Sequence, residues 1–258
     1  MRIVIKLGGK AMAAEGDLED LARELLTLAG HQVCLVHGGG DEVNALLERL
    51  GIAPKFVNGL RATDGATLEV VEMVLSGKVN PSLVAHLNQR GLKAVGLCGK
   101  DGGLLRAKQA DPSTGLGFVG EPEEINTGVL LALWEKGFLP VLSSIGTNRE
   151  GQSLNLNADT MACALAKSLR ADLLLLFTDS EGVCRGGNGK KDLIPEIHSG
   201  EAETLIAQGV VCGGMIPKVR EARAAKAGGV GRVWITRWDS ASLESLVREG
   251  GFHGTEIL

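Results

Sequence analysis

The chain predicts an α/β protein, a three-layer α/β/α sandwich around a mainly parallel central sheet. Short apolar runs alternate with amphipathic runs of helical period from one end to the other, which is the pattern of repeated βαβ units. The most apolar run, Leu173 to Phe177, has no polar position at all, as expected of a strand covered on both faces. Glycines gather where apolar runs stop, notably at Gly8-Gly9 and Gly38-Gly39-Gly40. Turns at the carboxyl ends of parallel strands are where such sheets bind their ligands.

Taken in order, Ile3 to Leu7 reads as a first strand. Asp17 is an N-cap candidate for a helix with Leu18, Leu21, Leu25 and Leu28 on one face, ended by Gly30. Val33 to Val36 is a buried strand, and Asp41 opens a helix carrying Val43, Leu46, Leu47 and Leu50 and closing at Gly51. Pro54 to Leu60 reads as irregular or extended. Asp64 is placed to cap a helix with Leu68, Val71 and Leu75 inward, and Pro81 sits early in a further helix ended by Gly91. A strand over Leu92–Leu97 precedes the turn Gly99 to Gly103. Leu104–Gln109 and Leu116–Val119 are expected to pair as a hairpin around Asp111-Pro112-Ser113-Thr114-Gly115. Then come a helix near Thr127–Lys136, a buried strand over Phe138–Leu142 and a polar turn from Thr147 to Ser153. An alanine-rich helix running to about Leu169 follows. After the Leu173 strand the expectation is a loop at Gly186 to Gly189, a helix over Gly213–Ala227 and a strand over Arg232–Thr236. A helix over Ser240–Arg248 and an edge strand over Thr255–Leu258 complete the chain. A soft boundary near residue 169 divides an N-terminal lobe, 1–169, from a C-terminal lobe, 170–258.

Composition narrows the function. With 27 basic and 31 acidic residues and no basic run, nucleic acid is not an indicated partner. At 3% aromatic residues, stacking platforms for bases are scarce as well. Five widely spaced cysteines without a Cys-x-x-Cys pair argue for reduced, mostly buried thiols rather than disulfides or zinc, so no metal site is expected. No apolar run reaches the ~20 residues of a membrane helix, and the chain opens directly on a strand. Both features point to a cytoplasmic protein.

Glycine admits φ > 0 and lets a ligand approach the backbone, and a helix N-terminus adds free N–H groups. The strand–glycine–helix order at Val33 to Asp41 therefore suits an anion, and Lys6 beside Gly8-Gly9 supplies a second such turn with a cation. Lys218 sits in the first turns of a helix, where the dipole disfavours it unless an anion is bound; otherwise it is a solvated lysine. Arg61 after Asn58-Gly59-Leu60 is either a surface arginine or a bidentate carboxylate fork. Asn155 and Asp159 are each explicable as caps, yet together they fit one pocket. His37 is more simply structural than a base. No P-loop is present. The one G-x-G-x-x-G, Gly115 to Gly120, follows a Pro-Ser-Thr turn instead of a strand and opens no helix, so a dinucleotide site is a poor fit.

The blocks Ile5-Lys6-Leu7-Gly8-Gly9, Val36-His37-Gly38-Gly39-Gly40, Asn58 to Asp64, Gly99 to Gly103, Asn155 to Asp159, Thr178 to Val183 and Gly214 to Lys218 occur in one order along the whole chain. In these the sequence resembles the amino-acid kinase family, in particular the branch serving arginine biosynthesis. The resemblance implies transfer of the ATP γ-phosphoryl group, with Mg²⁺ on the nucleotide, to the side-chain carboxylate of N-acetyl-L-glutamate. It implies Lys6, Lys218 and Asp159 as catalytic residues and Gly8 and Gly9 as phosphate-binding. Gly39, Gly40, Arg61 and Asn155 would hold the acceptor. Asp179, Ser180, Glu181, Gly182, Val183 and Cys184, with Val210, Val211 and Cys212, would line the nucleotide site. It assigns acceptor binding to the 1–169 lobe and nucleotide binding to the 170–258 lobe. Lacking the N-terminal helix that links dimers in arginine-inhibited relatives, the chain is expected to be an arginine-insensitive homodimer. The alternative enzyme is a carrier-linked aminoadipate or glutamate kinase, in which the Asn58 to Arg61 block and the triple glycine would be altered. A metabolite sensor is the reading from another class, opposed by intact Lys6, Lys218 and Asp159.

Overall fold

The computed structural model describes residues 1–8, 15–187, 190–198, 200–238, 243–249 and 253–258. In chain order the first elements are β1 (Arg2–Leu7), α1 (Glu15–Thr27), β2 (Gln32–His37), α2 (Gly40–Arg49), β3 (Lys55–Val57), β4 (Leu60–Ala62), α3 (Gly65–Val74) and α4 (Asn80–Gln89). Next are β5 (Ala94–Cys98), β6 (Leu105–Gln109), β7 (Val119–Ile125), α5 (Gly128–Glu135), β8 (Leu139–Ser143), β9 (Ile145–Thr147), β10 (Ser153–Leu156) and α6 (Ala158–Leu169). The last are β11 (Leu173–Thr178), β12 (Cys184–Gly187), β13 (Lys190–Leu193), β14 (Glu196–Ile197), α7 (Ala202–Ala207), α8 (Met215–Ala227), β15 (Arg232–Arg237), α9 (Leu243–Glu249) and β16 (Thr255–Ile257).

The chain forms two compact units, one of Met1–Val33 with Ala166–Leu258 and one of Cys34–Leu165. The first strand belongs to the first of these units through a non-local pairing: β1 runs parallel to β11, with Ile3 opposite Leu173 and Lys6 opposite Leu176.

In the first unit the strands lie in the order β14-β16-β15-β11-β1. β1, β11 and β15 are mutually parallel, and β11 is buried from Leu173 to Phe177, as its unbroken apolar run requires. β16 joins antiparallel to β15, and β14 lies outside it. The Thr255 segment is thus not the edge strand; the two-residue β14, too short to show a period, takes the edge. Asp17 lies inside α1 rather than capping it, and the expected start of the last helix at Ser240 lies outside the described residues. Of the expected loop at Gly186 to Gly189, Gly186 and Gly187 belong to β12, which pairs antiparallel with β13, and residues 188–189 lie outside the described residues.

In the second unit β2, β8 and β5 are parallel neighbours. A small closed barrel of β10, β7, β6 and β9 stands beside them in the same unit. The hairpin expected around Asp111 does form, but the return strand is Val119–Ile125 rather than Leu116–Val119, with Gln109 opposite Gly120. Asp111 instead caps a single helical turn at Pro112–Thr114 through Ser113 N–H. The segment after Pro54, expected to be irregular or extended, is extended: it forms the hairpin β3–β4, turned by Asn58 at φ 50° and Gly59 at φ 82°. Asp64 caps α3 as expected, its carboxylate accepting from Thr67 N–H at 2.8 Å. A five-residue π-helical stretch, Leu75–Val79, carries α3 on into α4, and such wide turns are frequent at functional sites.

Candidate active site

The second unit holds a cavity of about 210 Å³ at the carboxyl end of β2. The triple glycine, the β3–β4 hairpin, Leu75 of the π-helical turn and the start of α6 wall it. Gly39, Gly40, Arg61 and Asn155 all line it, so the structure brings together the four residues expected to hold the acceptor. Phe56, Ser144, Asn157 and Ala158 line it too, and sequence reasoning missed them. For Phe56 a signal existed, because Asn-Gly between extended runs is a two-residue hairpin turn. The volume fits a small metabolite.

Gly39 is the conformational hinge of this wall. Its φ of 156° is open to glycine alone, and a Cβ there would meet Leu75 Cδ2 at 2.9 Å and Val79 Cγ2 at 3.1 Å. Its carbonyl accepts from Val43 N–H at 3.0 Å, which starts α2 directly from the turn. Arg61 is aimed inward from β4. Its Nη2 donates to Gly40 O at 3.2 Å and its guanidinium lies 4.9 Å from the centroid of the Phe56 ring. Its Nη1 is buried and, among the described residues, has no hydrogen-bond partner. Burial pulls this guanidinium below its ordinary value. A buried, unpaired cationic N–H is costly unless a ligand meets it, and the planar fork matches a carboxylate.

Asn155 is held by its own amide, Nδ2 donating to Thr63 Oγ1 at 3.0 Å. Capping of α6 falls instead to Asn157, whose Oδ1 accepts from Asp159 N–H at 2.8 Å and Thr160 N–H at 3.2 Å. Neither Asn155 nor Asp159 is therefore needed as a cap. Asp159 stands in the first turn of α6, partly buried.

The first unit carries the other expected residues. Lys6, near the end of β1, is partly buried, with Nζ 3.5 Å from Phe177 O. Lys218 is 7% exposed in the first turn of α8, which rules out the solvated alternative. Gly8 follows β1, and a Cβ there would lie 2.9 Å from Phe177 O, so only a bare backbone fits. Gly9 lies outside the described residues. A cavity of about 220 Å³ is lined by Gly8, Asp17, Phe177, Thr178, Asp179, Arg237 and Trp238. Of the expected nucleotide residues only Asp179 lines it. Ser180 to Cys184 continue the loop after β11: Gly182 O accepts from Ser180 Oγ at 2.8 Å, and Val183 N–H donates to Thr255 Oγ1 at 2.8 Å. Glu181 lies 3.3 Å from Arg237 and 3.6 Å from His253 on the surface. Val210, Val211 and Cys212 join α7 to α8, with Val211 buried and Cys212 exposed.

The family model described as the amino acid kinase family matches residues 1–237. Among curated relatives, the acetylglutamate kinase of Ruegeria pomeroyi is 46% identical over 253 residues, covering 96% of this chain and 86% of that one. The acetylglutamate kinase of a Ruegeria species is 47% identical, covering 88% and 79%. Among solved structures, smu.665 from Streptococcus mutans superposes with a TM-score of 0.84 at 34% identity, covering 99% of this chain and 98% of that one. A carbamate kinase from Giardia lamblia, at 21% identity and a TM-score of 0.73 over 100% and 98% of the chains, shares the fold. The chain belongs to the amino acid kinase family. It is a kinase with small-molecule substrates, and its family and relatives imply ATP as the phosphoryl donor. Among the described residues no helix is long and apolar enough to cross a membrane.

Proposed function

We propose that the chain transfers the γ-phosphoryl group of ATP to the side-chain carboxylate of N-acetyl-L-glutamate, giving N-acetyl-L-glutamyl 5-phosphate, the second step of arginine biosynthesis. The observation that carries this reading is the orphaned, buried Nη1 of Arg61 in a cavity of metabolite size. It calls for a carboxylate, and the acceptor's α-carboxylate answers it. Asn155 and the backbone of Gly39 and Gly40 hold the rest of that molecule. Relatives 46–47% identical that bear the acetylglutamate kinase name support the same acceptor, and the carrier-linked alternative is not favoured.

The chemistry needs no general base. A carboxylate with an ordinary pKa of ~4.3 is already ionised at neutral pH. The obstacle is an anion attacking a polyanion, so catalysis consists of positioning and charge stabilisation. Lys6 and Lys218 act on the transferring phosphoryl group. The burial of Lys218 supports this, since an ammonium withdrawn from water is strong against a bound anion. Asp159 is the acidic residue that the family resemblance assigns to catalysis, and the amides of Gly8 and Gly9 are assigned to phosphate oxygens. Residues Asp179 to Cys184 and Val210 to Cys212 receive the nucleotide, so acceptor binding belongs to the earlier part of the chain and nucleotide binding to the later. Mg²⁺ arrives as part of the substrate, held by the nucleotide's phosphate oxygens. We further propose that the enzyme is a homodimer in the cytoplasm; light scattering checks the oligomer.

The test is ATP- and Mg²⁺-dependent acyl phosphate formation, trapped with hydroxylamine, with N-acetyl-L-glutamate compared against glutamate, aspartate and aminoadipate. Product with acetylglutamate alone is expected. Absence of product with every free acceptor would sink the reading.

A further inference from the structure

His37 is a buried titratable side chain that the chemistry above does not use. It ends β2, directly before the triple glycine, and is fully buried. Its Nδ1 lies 2.7 Å from Gly38 O and its Nε2 lies 2.9 Å from Asn80 Nδ2. The carbonyl can only accept and the amide nitrogen can only donate, so both contacts demand one tautomer, with the proton on Nδ1 and a bare Nε2. The Asn80 amide cannot be reversed to suit another tautomer, because the same Nδ2 also donates to Val141 O at 2.9 Å. Burial lowers the imidazole pKa to about 4 and so keeps the ring neutral.

Asn80 is in turn placed by two neighbours. Gly96 of β5 leaves it room: a Cβ there would lie 2.1 Å from Asn80 Oδ1. The π-helical turn delivers it from the other side, pinned by Ser76 Oγ and Ser143 Oγ at 2.8 Å.

In a planar trans peptide the C=O of one residue and the N–H of the next point in opposite directions. A proton held on Nδ1 ties down the Gly38 carbonyl, and with it the direction of the Gly39 N–H. We propose that His37 and Asn80 are positioning residues for phosphoryl transfer: their hydrogen-bonded pair fixes the Gly38–Gly39 peptide so that the Gly39 N–H serves the negative charge in the acceptor cavity. This rests on the acetylglutamate phosphorylation proposed above. It assigns the histidine a role in orientation, with no proton taken from or given to substrate.

Two variants of similar size separate this role from packing. In His37→Asn the amide nitrogen falls where Nδ1 was and still reaches Gly38 O. In His37→Gln it falls where Nε2 was and leaves that carbonyl unheld. His37→Gln is expected to lose about 10²-fold in kcat, the scale of a misaimed donor, with the KM for ATP unchanged. His37→Asn is expected to lose less than about fivefold, although both cavities cost similar stability. Gly96→Ala, which displaces Asn80 and so frees the ring to protonate on either nitrogen without removing Nδ1, is expected to fall between the two His37 variants. Equal kcat in the two His37 variants, or kcat that merely tracks their thermal midpoints, overturns the proposal. Should the variants not fold, the wild-type protein decides. Long-range ¹H–¹⁵N spectra are expected to show a neutral His37 ring protonated on Nδ1 at neutral pH, and an Nε2-protonated ring refutes the proposal. A wild-type enzyme inactive on acetylglutamate would instead refute the functional reading itself.

Discussion

In the unit of residues 1–33 and 166–258, the expected anion-handling groups are long side chains. Lys6 emerges from a buried strand that runs parallel to β11, and Lys218 is withdrawn to 7% exposure in the first turn of α8. In the unit of residues 34–165 the same task falls to backbone and one guanidinium, set by a glycine at φ 156°, a two-residue hairpin turn and a π-helical stretch. The first arrangement places charge on long side chains, and the second places backbone dipoles and a planar fork around a turn. On the proposed reaction, charge near the transferring group would govern the rate, whereas shape and a carboxylate clamp would govern which acceptor is bound. Substitutions in the two units should therefore separate kcat from acceptor KM, and the predictions below test that separation.

The largest effect belongs to the first unit. Lys218→Ala is expected to lower kcat by about 10³-fold, the scale of losing one preorganised charge at a developing anion. The acceptor KM should change by less than about threefold. Steady-state kinetics with the hydroxylamine assay measures both. A Lys218→Ala enzyme that keeps its kcat and loses acceptor affinity would reverse the comparison.

Next is the acid stability of the second unit. His37 titrates at about 4 when folded, against an ordinary 6.5. Between these values the unfolded chain binds a proton that the folded chain refuses. The contribution is therefore whole above 6.5 and is lost as the pH falls toward 4. At 1.36 kcal/mol per unit this is about 3 kcal/mol. Urea unfolding followed across that range should show the loss in the wild type and a flatter profile in His37→Asn. Identical slopes would mean that the ring is not held neutral by its surroundings.

Arg61→Ala is expected to raise the acceptor KM by about 30-fold, near 2 kcal/mol for one charge-assisted pair, with kcat falling less. Arg61→Lys should recover little of it, because an ammonium cannot span Gly40 O and a carboxylate as the fork does. Equal effects on kcat and KM would show that the guanidinium also serves the transition state.

These contrasts also explain what could be read from residue order. The apolar run of β11, the Asp64 cap and the triple glycine are local signals, and each appears where it was expected. The Asn58-Gly59 turn is an equally local signal, and reading the segment only as irregular or extended leaves Phe56 out of the residues that line the cavity. The barrel strands β9 and β10 are three and four residues long, too short for a period to register. Non-local pairings left no trace at all. β1 joins β11 from far along the chain, and His37 meets Asn80 43 residues away. The latter pair makes His37 more than the inert core histidine that its glycine neighbours suggest.

The smallest effect tests the frame around the guanidinium. Phe56 is 54% exposed, an unusual place for a large aromatic unless its face is in use. Its ring lies 4.9 Å below Arg61 Cζ, and at a partly exposed site such a contact is worth about 0.5–1 kcal/mol. Phe56→Leu keeps the apolar wall of the cavity and removes only the ring's quadrupole. The expected result is a rise in acceptor KM of about two- to fivefold with kcat and the ATP KM unchanged. In Arg61→Ala the same Phe56 substitution should add nothing, because its partner is already gone. A double-mutant cycle that closes on full additivity would show that Phe56 contacts the acceptor itself. A cycle that closes on zero added effect would place the ring behind the arginine, as part of the frame that distinguishes this unit from the lysine-bearing one.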